Sequence, residues 1–433
     1  MNPMRKTPPD GNIIRAIVCA FIIITGPTVL ADDYRDARAE LVAAYQAQDY
    51  PAMRTATLMC LDARPGFAGA MFNLALAETL NGDPEAALQV LNELLAKKID
   101  FGADELDDFA SLHDLPEWGA YTKAVAEMYE PVGNATIAYR HDVPDFIPEG
   151  IAAGPDGELY LGSIRHGSIV KIAKTGVEPR FIAEADDGPH WSVFGMRLAD
   201  DGRLWFVSSA IPEFAELEEK DAGKNALYAL DTRTGKIVVR AELPRTENKQ
   251  VLGDLIFDGD DTLFLADQAD GIVYWYSITA NEFSILVDRG QLGSPQGLVF
   301  DQYGSSLYVA DYIGGLYRVS LSSGNVERVA PHESANDYGI DGLYRYENKL
   351  IAIKNGIRPN RVVEFELSND GSAIIGSRIL AMNLPEFDDP NLGEVVGDEF
   401  LFIANSHWPK FDRDGKLPEG LTGPIVLKID LGD

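Results

Sequence analysis

Two different spacings of apolar residues divide the chain. Up to about residue 130, apolar and alanine residues recur at intervals of three and four, which is typical of amphipathic helices. This spacing predicts helices over residues 33–48, 67–81, 84–97 and 117–129. Beyond Pro131 it gives way to short apolar runs separated by Asp-Gly and similar turns, which predict β-strands.

The helical part repeats with a period of 34 residues. Shifting it by that distance places Asp49 on Asp83 and Leu61 on Leu95. Such a period, with small residues where paired helices touch, resembles tetratricopeptide repeats. Two interpretations of this small all-α domain, residues 32–130, stay open: a packed helical appendage, or a groove for a protein partner.

Five later segments share one pattern, in which a glycine is followed by an aliphatic residue, a polar turn and an apolar strand, and a sixth segment has aspartate at the glycine position. The position is occupied by Gly150, Gly195, Asp254, Gly297, Gly342 and Gly393. Intervals of 43 to 59 residues suit four-stranded blades, and six copies predict a six-bladed β-propeller over residues 131–433. We expect residues 134–143 to supply the last strand of the last blade and so close the ring. The predicted fold class is therefore mainly β.

The N-terminus has the features of an export signal, predicted over residues 1–31. Basic residues precede an apolar stretch of about 14 residues over 17–30, and Val29 and Ala31 suit cleavage before Asp32. Because the stretch is short for a ~30 Å hydrocarbon core, a retained membrane anchor is the alternative interpretation. We expect the mature protein to be periplasmic or secreted, with no membrane association after cleavage.

Charge and cysteine content narrow the function classes. A formal net charge of −31 opposes binding to nucleic acid and to anionic membranes. Either solubility or attraction for a divalent cation accounts for this charge. Cleavage of the signal would leave Cys60 as the only cysteine, which excludes an internal disulfide. The sequence has no zinc-type His/Cys spacing, phosphate-binding loop or Gly-x-Ser-x-Gly turn.

Two blade sequences carry a family resemblance. Residues 148–163 (PEGIAAGPDGELYLGS) and 294–319 (SPQGLVFDQYGSSLYVADYIGGLYRV) resemble the gluconolactonase/regucalcin superfamily and its strictosidine-synthase-like, paraoxonase and NHL-repeat relatives. The resemblance covers about residues 135–431. It implies one catalytic divalent cation, usually calcium, at the mouth of the propeller channel. It also implies that residues just before the repeated glycine bind this ion in three blades.

Matched residue by residue, the resemblance implies Glu149, Gln296 and Asp341 as metal ligands, with Asp254 as a further contact. The family has asparagine where this chain has Gln296, and a second asparagine where it has Gly253. Carboxylates that converge at the axis would repel and protonate unless a cation joined them, and hard oxygen ligands suit Ca²⁺. Without the resemblance, Glu149 and Asp341 are typical of exposed turns.

The resemblance implies hydrolysis of a small-molecule lactone or related ester. A metal ion would polarise the carbonyl, and Asp341 would take a proton from the attacking water. His190 is a second catalytic candidate, as a base or a substrate contact, and His407 could have either of the same roles. Because tryptophans follow both histidines, a hydrophobic pocket rim is the other interpretation. The alternative function is a non-catalytic module whose propeller binds a ligand and whose helical domain recruits a protein partner.

Two further features have both a structural and a functional interpretation. Polar residues follow the second predicted strand of four blades, where they either hold turns through side-chain hydrogen bonds or line the channel: Asp267, Asp311, Lys354 and Asn405. A charged insertion over residues 212–224 either folds over the channel or is solvated.

Overall fold

The computed structural model describes residues 31–172, 180–183, 190–332, 335–412 and 415–432. The described chain forms two compact units that meet in sequence between Met128 and Tyr129. The predicted signal peptide lies outside the described residues apart from Ala31, where the first helix begins. Within the described ranges, every helix is too short or too polar to span a bilayer.

The first unit is helical, as predicted. Its described α-helices are α1 (Ala31–Gln46), α2 (Tyr50–Ala63), α3 (Ala68–Leu80), α4 (Pro84–Ala96) and α5 (Trp118–Met128), with 3₁₀ turns at Ala103–Glu105 and Asp107–Asp114. Helix α2 was not predicted from the spacing. Its buried face consists of Met53, Ala56, Thr57 and Cys60, which has helical spacing but includes a polar residue. The Thr57 hydroxyl is satisfied inside the helix, where it donates to the Met53 carbonyl at 2.8 Å.

The 34-residue period corresponds to two equivalent helix caps. The carboxylate of Asp49 accepts a hydrogen bond from the Ala52 amide at 3.1 Å at the start of α2. Asp83 does the same for the Ala86 amide at 3.0 Å at the start of α4. Aspartate is among the best residues for satisfying the free amides of a first helical turn.

The second unit contains six four-stranded antiparallel sheets, which confirms the predicted propeller. Blade 1 consists of β2 (Pro148–Ala153), β3 (Leu159–Ser163), β4 (Ile169–Ile172) and β5 (Arg180–Ala183), and blade 2 of β6 (Ser192–Leu198), β7 (Arg203–Ser209), β8 (Asn225–Asp231) and β9 (Lys236–Glu242). Blade 3 consists of β10 (Leu252–Phe257), β11 (Thr262–Asp267), β12 (Ile272–Ser277) and β13 (Glu282–Val287), and blade 4 of β14 (Pro295–Phe300), β15 (Ser306–Asp311), β16 (Gly315–Ser320) and β17 (Val326–Arg328). Blade 5 consists of β18 (Ile340–Tyr346), β19 (Lys349–Lys354), β20 (Arg361–Leu367) and β21 (Ile374–Met382), and blade 6 of β22 (Gly393–Val396), β23 (Glu399–Ile403), β24 (Ile425–Asp430) and β1 (Thr136–Arg140).

The blades form a closed ring. Their innermost strands contact one another in the order β2, β6, β10, β14, β18 and β22, and β22 contacts β2 again. Strand β1 pairs with β24 and places Thr136 opposite Lys428, so the outer strand of blade 6 comes from the N-terminal end of the unit. This confirms the predicted closure, which leaves fewer free sheet edges.

The hydrophobic core lies between neighbouring blades. Between blades 1 and 2, for example, the fully buried Tyr160 belongs to the same cluster as Val193 and Phe206. Comparable clusters join blades 3 and 4, 4 and 5, 5 and 6, and 6 and 1. Each sheet therefore buries both of its faces, except at the outer strands.

The repeated glycines allow the inner strands of adjacent blades to approach closely. A Cβ atom at Gly150 would lie 2.2 Å from the Phe194 carbonyl oxygen, and one at Gly297 would lie 2.4 Å from the Leu343 amide nitrogen. At Gly195 the neighbouring atom is the Cα of Asp254, at 2.7 Å. The glycine pattern that predicts the propeller thus reflects backbone packing around the axis.

The polar residues after the second strands hold turns. The Asp311 carboxylate accepts hydrogen bonds from the Ser294 and Gly314 amides, each at 3.0 Å. Asp267 accepts from the Val251 amide at 2.9 Å. Lys354 and Asn405 likewise bond to the chain that leads into or out of their blades. The structural interpretation of these four residues is confirmed.

Candidate functional site

The predicted ligands occupy equivalent β-bulges at the start of three inner strands. In each bulge, one extra residue separates two pairs of opposed residues: Pro148–Ser163 and Ile151–Leu161, Pro295–Asp311 and Leu298–Val309, Ile340–Lys354 and Leu343–Ala352. Glu149, Gln296 and Asp341 therefore share one register position at one end of the channel. Bulges of this kind redirect side chains and are frequent beside active sites.

Glu149 is almost fully buried, with 7% of its surface exposed. Its Oε2 atom accepts hydrogen bonds from Asn391 Nδ2 and from the indole Nε1 of Trp408, each at 2.5 Å. Burial, and next the charge of Asp341, raise the pKa of Glu149 well above its usual range, although the two N–H donors oppose the shift. Glu149 and Asp341, from blades 1 and 5, thus lie within electrostatic reach of each other.

Asp341 is oriented by a short hydrogen-bond chain. Asn355 Nδ2 donates to Asp341 Oδ2 at 2.6 Å, and the Tyr312 hydroxyl donates to Asn355 Oδ1 at 3.1 Å. Burial raises the pKa of Asp341 to about 6; the bond from Asn355 opposes the shift and the charge of Asp254 adds to it. With a pKa of about 6, the Asp341 carboxyl group is mostly ionised at neutral pH and can accept a proton.

A third carboxylate, Asp389, belongs to the same group and was not predicted. Burial, and next the charge of Asp341, raise its pKa to about 7, while the Ser406 hydroxyl donates to Asp389 Oδ2 at 3.1 Å. Asp389 precedes β22, and in blade 6 the residue just before the repeated glycine is Leu392. Selecting the residue just before the repeated glycine therefore gives the apolar Leu392 in blade 6 and does not find Asp389, three residues earlier. We call Glu149, Asp341 and Asp389 the acidic group.

Asp254 also contacts a second set of charges further along the inner strands. Its Oδ2 atom lies 3.5 Å from Arg197 Nη2, whereas the buried Oδ1 atom has no hydrogen-bond partner among the described residues. Burial raises the pKa of Glu394 to about 7, an effect that Arg197 opposes and Asp254 strengthens. Asp254 therefore lies between this set and the acidic group, where its charge also reaches Asp341.

Gly253 and Gln296, the two positions where the sequence departs from the pattern it resembles, are neighbours in the structure. A Cβ atom at Gly253 would lie 2.8 Å from Gln268 Oε1 and 3.4 Å from Gln296 Oε1. The Gln296 amide nitrogen donates to the Ser294 hydroxyl at 3.4 Å. A side chain at position 253 would therefore meet Gln268 of the same blade first and Gln296 of the next blade second. The absence of a side chain at Gly253 leaves room for both glutamines.

The two histidines lie in different surroundings. His190 is 4% exposed, and its ring centroid lies 6.2 Å from those of Phe206 and Tyr228, on the second and third strands of blade 2. Its catalytic role stays a prediction. His407 Nδ1 lies 2.7 Å from Asp388 Oδ2. Asp388 directly precedes Asp389 of the acidic group in the sequence.

The acidic group has the donor chemistry of a hard-cation site. No cluster of three or more His, Cys, Asp or Glu side chains with metal-binding geometry occurs within the described residues. The carboxylates of Glu149 and Asp341 and the amide oxygen of Gln296 are nevertheless the ligand types that Ca²⁺ prefers. Burial is the main cause of the raised pKa values of both acids, and the charge of a neighbouring carboxylate adds to each shift. The chemistry of these donors is therefore of the type that a divalent cation would need.

Comparison with known proteins finds similar folds among solved propeller structures. Neither a family model nor a curated protein matches the chain. Similar structures include the PQQ-bound aldose sugar dehydrogenase of Streptomyces coelicolor, with 12% identity and a TM-score of 0.49 over 70% of this chain and 99% of that one. The calcium-binding protein regucalcin of Agrobacterium tumefaciens has 16% identity and a TM-score of 0.48 over 68% of this chain and 93% of that one. A gluconolactonase of Xanthomonas campestris has 14% identity and a TM-score of 0.47 over 70% and 92%.

The neighbours include regucalcin and gluconolactonase propellers, the group that the blade sequences resemble. With TM-scores below 0.5, these likenesses carry no information on chemistry, which must come from the side chains of this protein. The chain is a six-bladed β-propeller preceded by a helical segment.

Proposed function

We propose that this protein is a metal-dependent hydrolase that opens a lactone or a related ester at the channel mouth. The observation that carries the proposal is that Glu149 and Asp341 occupy the same register position in blades 1 and 5, which only blade 6 separates, so that each acid lies within reach of the other's charge. Buried acids that lie close together and have raised pKa values are characteristic of functional sites. Because the inner strands of a propeller surround a central channel, we expect a small substrate to reach these acids along that channel.

The cation would be held by Glu149 and Asp341, with Gln296 and Asp254 as the further oxygen donors predicted from the sequence. Calcium suits this set because it accepts six to eight oxygen ligands in irregular geometry. When bound, such an ion polarises the substrate carbonyl and makes a neighbouring water more acidic. The hydrogen bonds from Trp408 and Asn391 orient Glu149 for this role.

Asp341 would act as the general base. Asn355 engages its Oδ2 atom, so Oδ1 is the atom that accepts a proton from water. The water oxygen forms a bond to the carbonyl carbon, the bond from that carbon to the ring oxygen breaks, and the released alkoxide takes up a proton. The product of a lactone is a hydroxy acid. Asp389, with a pKa of about 7, lies within electrostatic reach to share the proton.

The test is hydrolysis of acyl and sugar lactones by the purified protein, in calcium and after chelation. We expect turnover that needs the ion and falls by about 10² to 10⁴-fold in Asp341→Ala. Asp260→Asn is the matched control because it removes an exposed carboxylate of blade 3. Turnover that is indifferent to the chelator and to Asp341→Ala would overturn the assignment. Absence of turnover, together with partner capture that requires residues 32–130, would favour the non-catalytic binding module.

The location of the reaction is part of the proposal. We infer from the N-terminal pattern that the hydrolase acts outside the cytoplasm after signal cleavage. N-terminal sequencing of the protein from the periplasmic or secreted fraction should begin at Asp32. Recovery of the uncleaved chain from the cytoplasm would contradict this inference.

A further inference from the structure

We propose that an aromatic wall on one side of the channel mouth selects lactones or esters that carry an apolar substituent near the reacting ester group. The wall consists of Phe194, Trp408 and Phe411. This inference rests on the proposed hydrolase function and specifies its substrate class. It follows from how two long insertions are anchored beside the acidic group.

The insertions lie between the second and third strands of blades 2 and 6. They cover residues 210–224 and 404–424, of which the structure describes all but 413 and 414. Arg165, from the turn after β3 in blade 1, joins them, since its Nη1 donates to the Glu213 carbonyl at 3.1 Å and to the Gly415 carbonyl at 2.9 Å. The Ala215 amide donates in turn to the Arg165 carbonyl at 2.9 Å.

The blade 2 insertion is also packed into the protein. Phe214 is only 8% exposed and belongs to the core cluster of blades 1 and 2, which includes Trp191. Ile211 is 6% exposed. Residues 212–224 therefore combine the two interpretations, because Phe214 anchors the segment in the core while most of its charged residues are exposed. Together the insertions form a fixed structure beside blade 1, which carries Glu149.

The blade 6 insertion brings aromatic rings to the acidic group. The indole N–H of Trp408 donates to Glu149, and its ring centroid lies 6.3 Å from that of Phe194 and 5.7 Å from that of Phe411. Phe194 has the register position in blade 2 that Glu149 and Asp341 have in blades 1 and 5. Trp408 and Phe411 are each partly exposed, so their rings retain surface for a ligand, whereas Phe194 is 1% exposed and supports the Trp408 ring from within the protein.

This arrangement places aromatic rings directly beside the oxygen donors. Glu149 belongs to blade 1, and the aromatic rings come from blades 2 and 6, the two blades that contact blade 1, whereas Gln296 and Asp341 come from blades 4 and 5. A carbonyl directed at the acidic group would place its neighbouring substituent against the rings. An alkyl or aryl group gains there by leaving water, whereas the hydroxyls of a sugar lactone would lose hydrogen bonds to water without replacement.

Hydrolysis of three lactones by the full mature protein tests the selection: γ-decanolactone, γ-butyrolactone and glucono-δ-lactone. We expect kcat/KM to be highest for the decanolactone, by about tenfold or more over each of the others, the size of discrimination that apolar pockets provide. Phe411→Ser should lower kcat/KM for the decanolactone at least about tenfold more than for the butyrolactone, mainly through KM. Phe411→Leu should restore most of the loss. A preference for the sugar lactone, or equal losses for all three, would overturn the proposal.

A second variant and a binding measurement separate this proposal from the hydrolase function. Arg165→Gln removes the clamp between the insertions without touching the rings, and we expect it to reproduce the selective KM effect. Calorimetric titration with 5-hexyl-2-pyrrolidinone, a lactam that resists hydrolysis, reports on the wall alone. Binding that is lost in Phe411→Ser supports the wall even if no lactone is hydrolysed. Turnover of lactones without any binding of the lactam would sustain the hydrolase and refute the wall.

Discussion

Trp408 and Glu149 lie 259 positions apart, yet the indole N–H of one donates a hydrogen bond to the carboxylate of the other. This bond connects the blade 6 insertion to the inner strand of blade 1. It stabilises the ionised form of a carboxyl group whose pKa is raised by burial and by Asp341. The same residue therefore contributes a ring to the aromatic wall and a donor to the acidic group.

Trp408→Phe separates these two contributions. The variant keeps an aromatic ring but removes the donor, which leaves Asn391 as the described side-chain partner of Glu149. The pKa of Glu149 should then rise further, and cation affinity and kcat should fall by about tenfold for every lactone alike, the effect of losing a bond worth about 1.4 kcal/mol. Calcium titration and steady-state kinetics would measure both. A loss restricted to alkyl lactones would show that the ring, and not the N–H group, is what matters.

The repeated glycines should tolerate no side chain. Gly297→Ala would place a Cβ atom 2.4 Å from the backbone of the next blade, and we expect a loss of about 1–3 kcal/mol in the free energy of unfolding. Gly119→Ala, in helix α5, is the matched control because its added Cβ meets nothing within 4 Å. Since alanine favours helix, the control should be neutral or stabilising by up to about 1 kcal/mol. Urea unfolding curves that show equal effects at both sites would contradict the packing argument.

Asp267 should make stability depend on pH. Burial raises its pKa from the ordinary 3.8 to about 7, and its Oδ2 atom is buried without a described hydrogen-bond partner. A raised folded-state pKa means that the folded protein binds the proton more tightly than the unfolded chain does. The contribution is therefore complete below about pH 4 and is lost as the pH rises through 7.

Asp267→Asn removes this titration but keeps an oxygen acceptor for the Val251, Ala269 and Asp270 amides. Between pH 5 and pH 8, the wild-type protein should lose about 2 kcal/mol more stability than the variant. Denaturant unfolding at the two pH values measures the difference. Parallel pH profiles for the two proteins would show that Asp267 ionises normally.

Arg197 should contribute to the stability of the fold mainly because its positive charge lies beside the buried acids Asp254 and Glu394. Arg197→Met leaves the 2%-exposed Asp254 without its cation, and we expect a cost of about 3–5 kcal/mol. The double variant Arg197→Met/Asp254→Asn should recover part of that cost because the unpaired charge is gone. A double-mutant cycle of unfolding free energies gives the coupling directly. Strictly additive effects would mean that the two side chains do not interact.

The sequence predicts the fold more completely than it predicts the site. Glycine at one position of each blade is a backbone requirement that recurs in all but one copy, so the repeat can be recognised without any side-chain chemistry. The bulge that follows from it places Glu149, Gln296 and Asp341 in one register, as predicted.

The rest of the site depends on contacts that no single blade encodes. Asp389 lies outside the register because Leu392 occupies the equivalent position in blade 6. The role of Trp408 follows from the path of a long insertion, and the space beside Gly253 is bordered by Gln268 of the same blade and Gln296 of the next. These relationships arise where distant segments meet at the axis, and they have no periodic signature in the chain.

Calcium titration of the metal-free protein, by calorimetry and native mass spectrometry, tests the central claim most directly. If Glu149 and Asp341 share one ion, the wild-type protein should bind one calcium per chain, and both Glu149→Gln and Asp341→Asn should lose at least about tenfold in affinity, while Asp260→Asn binds normally. A protein that binds no divalent cation, or that binds it equally well after both substitutions, would contradict the account.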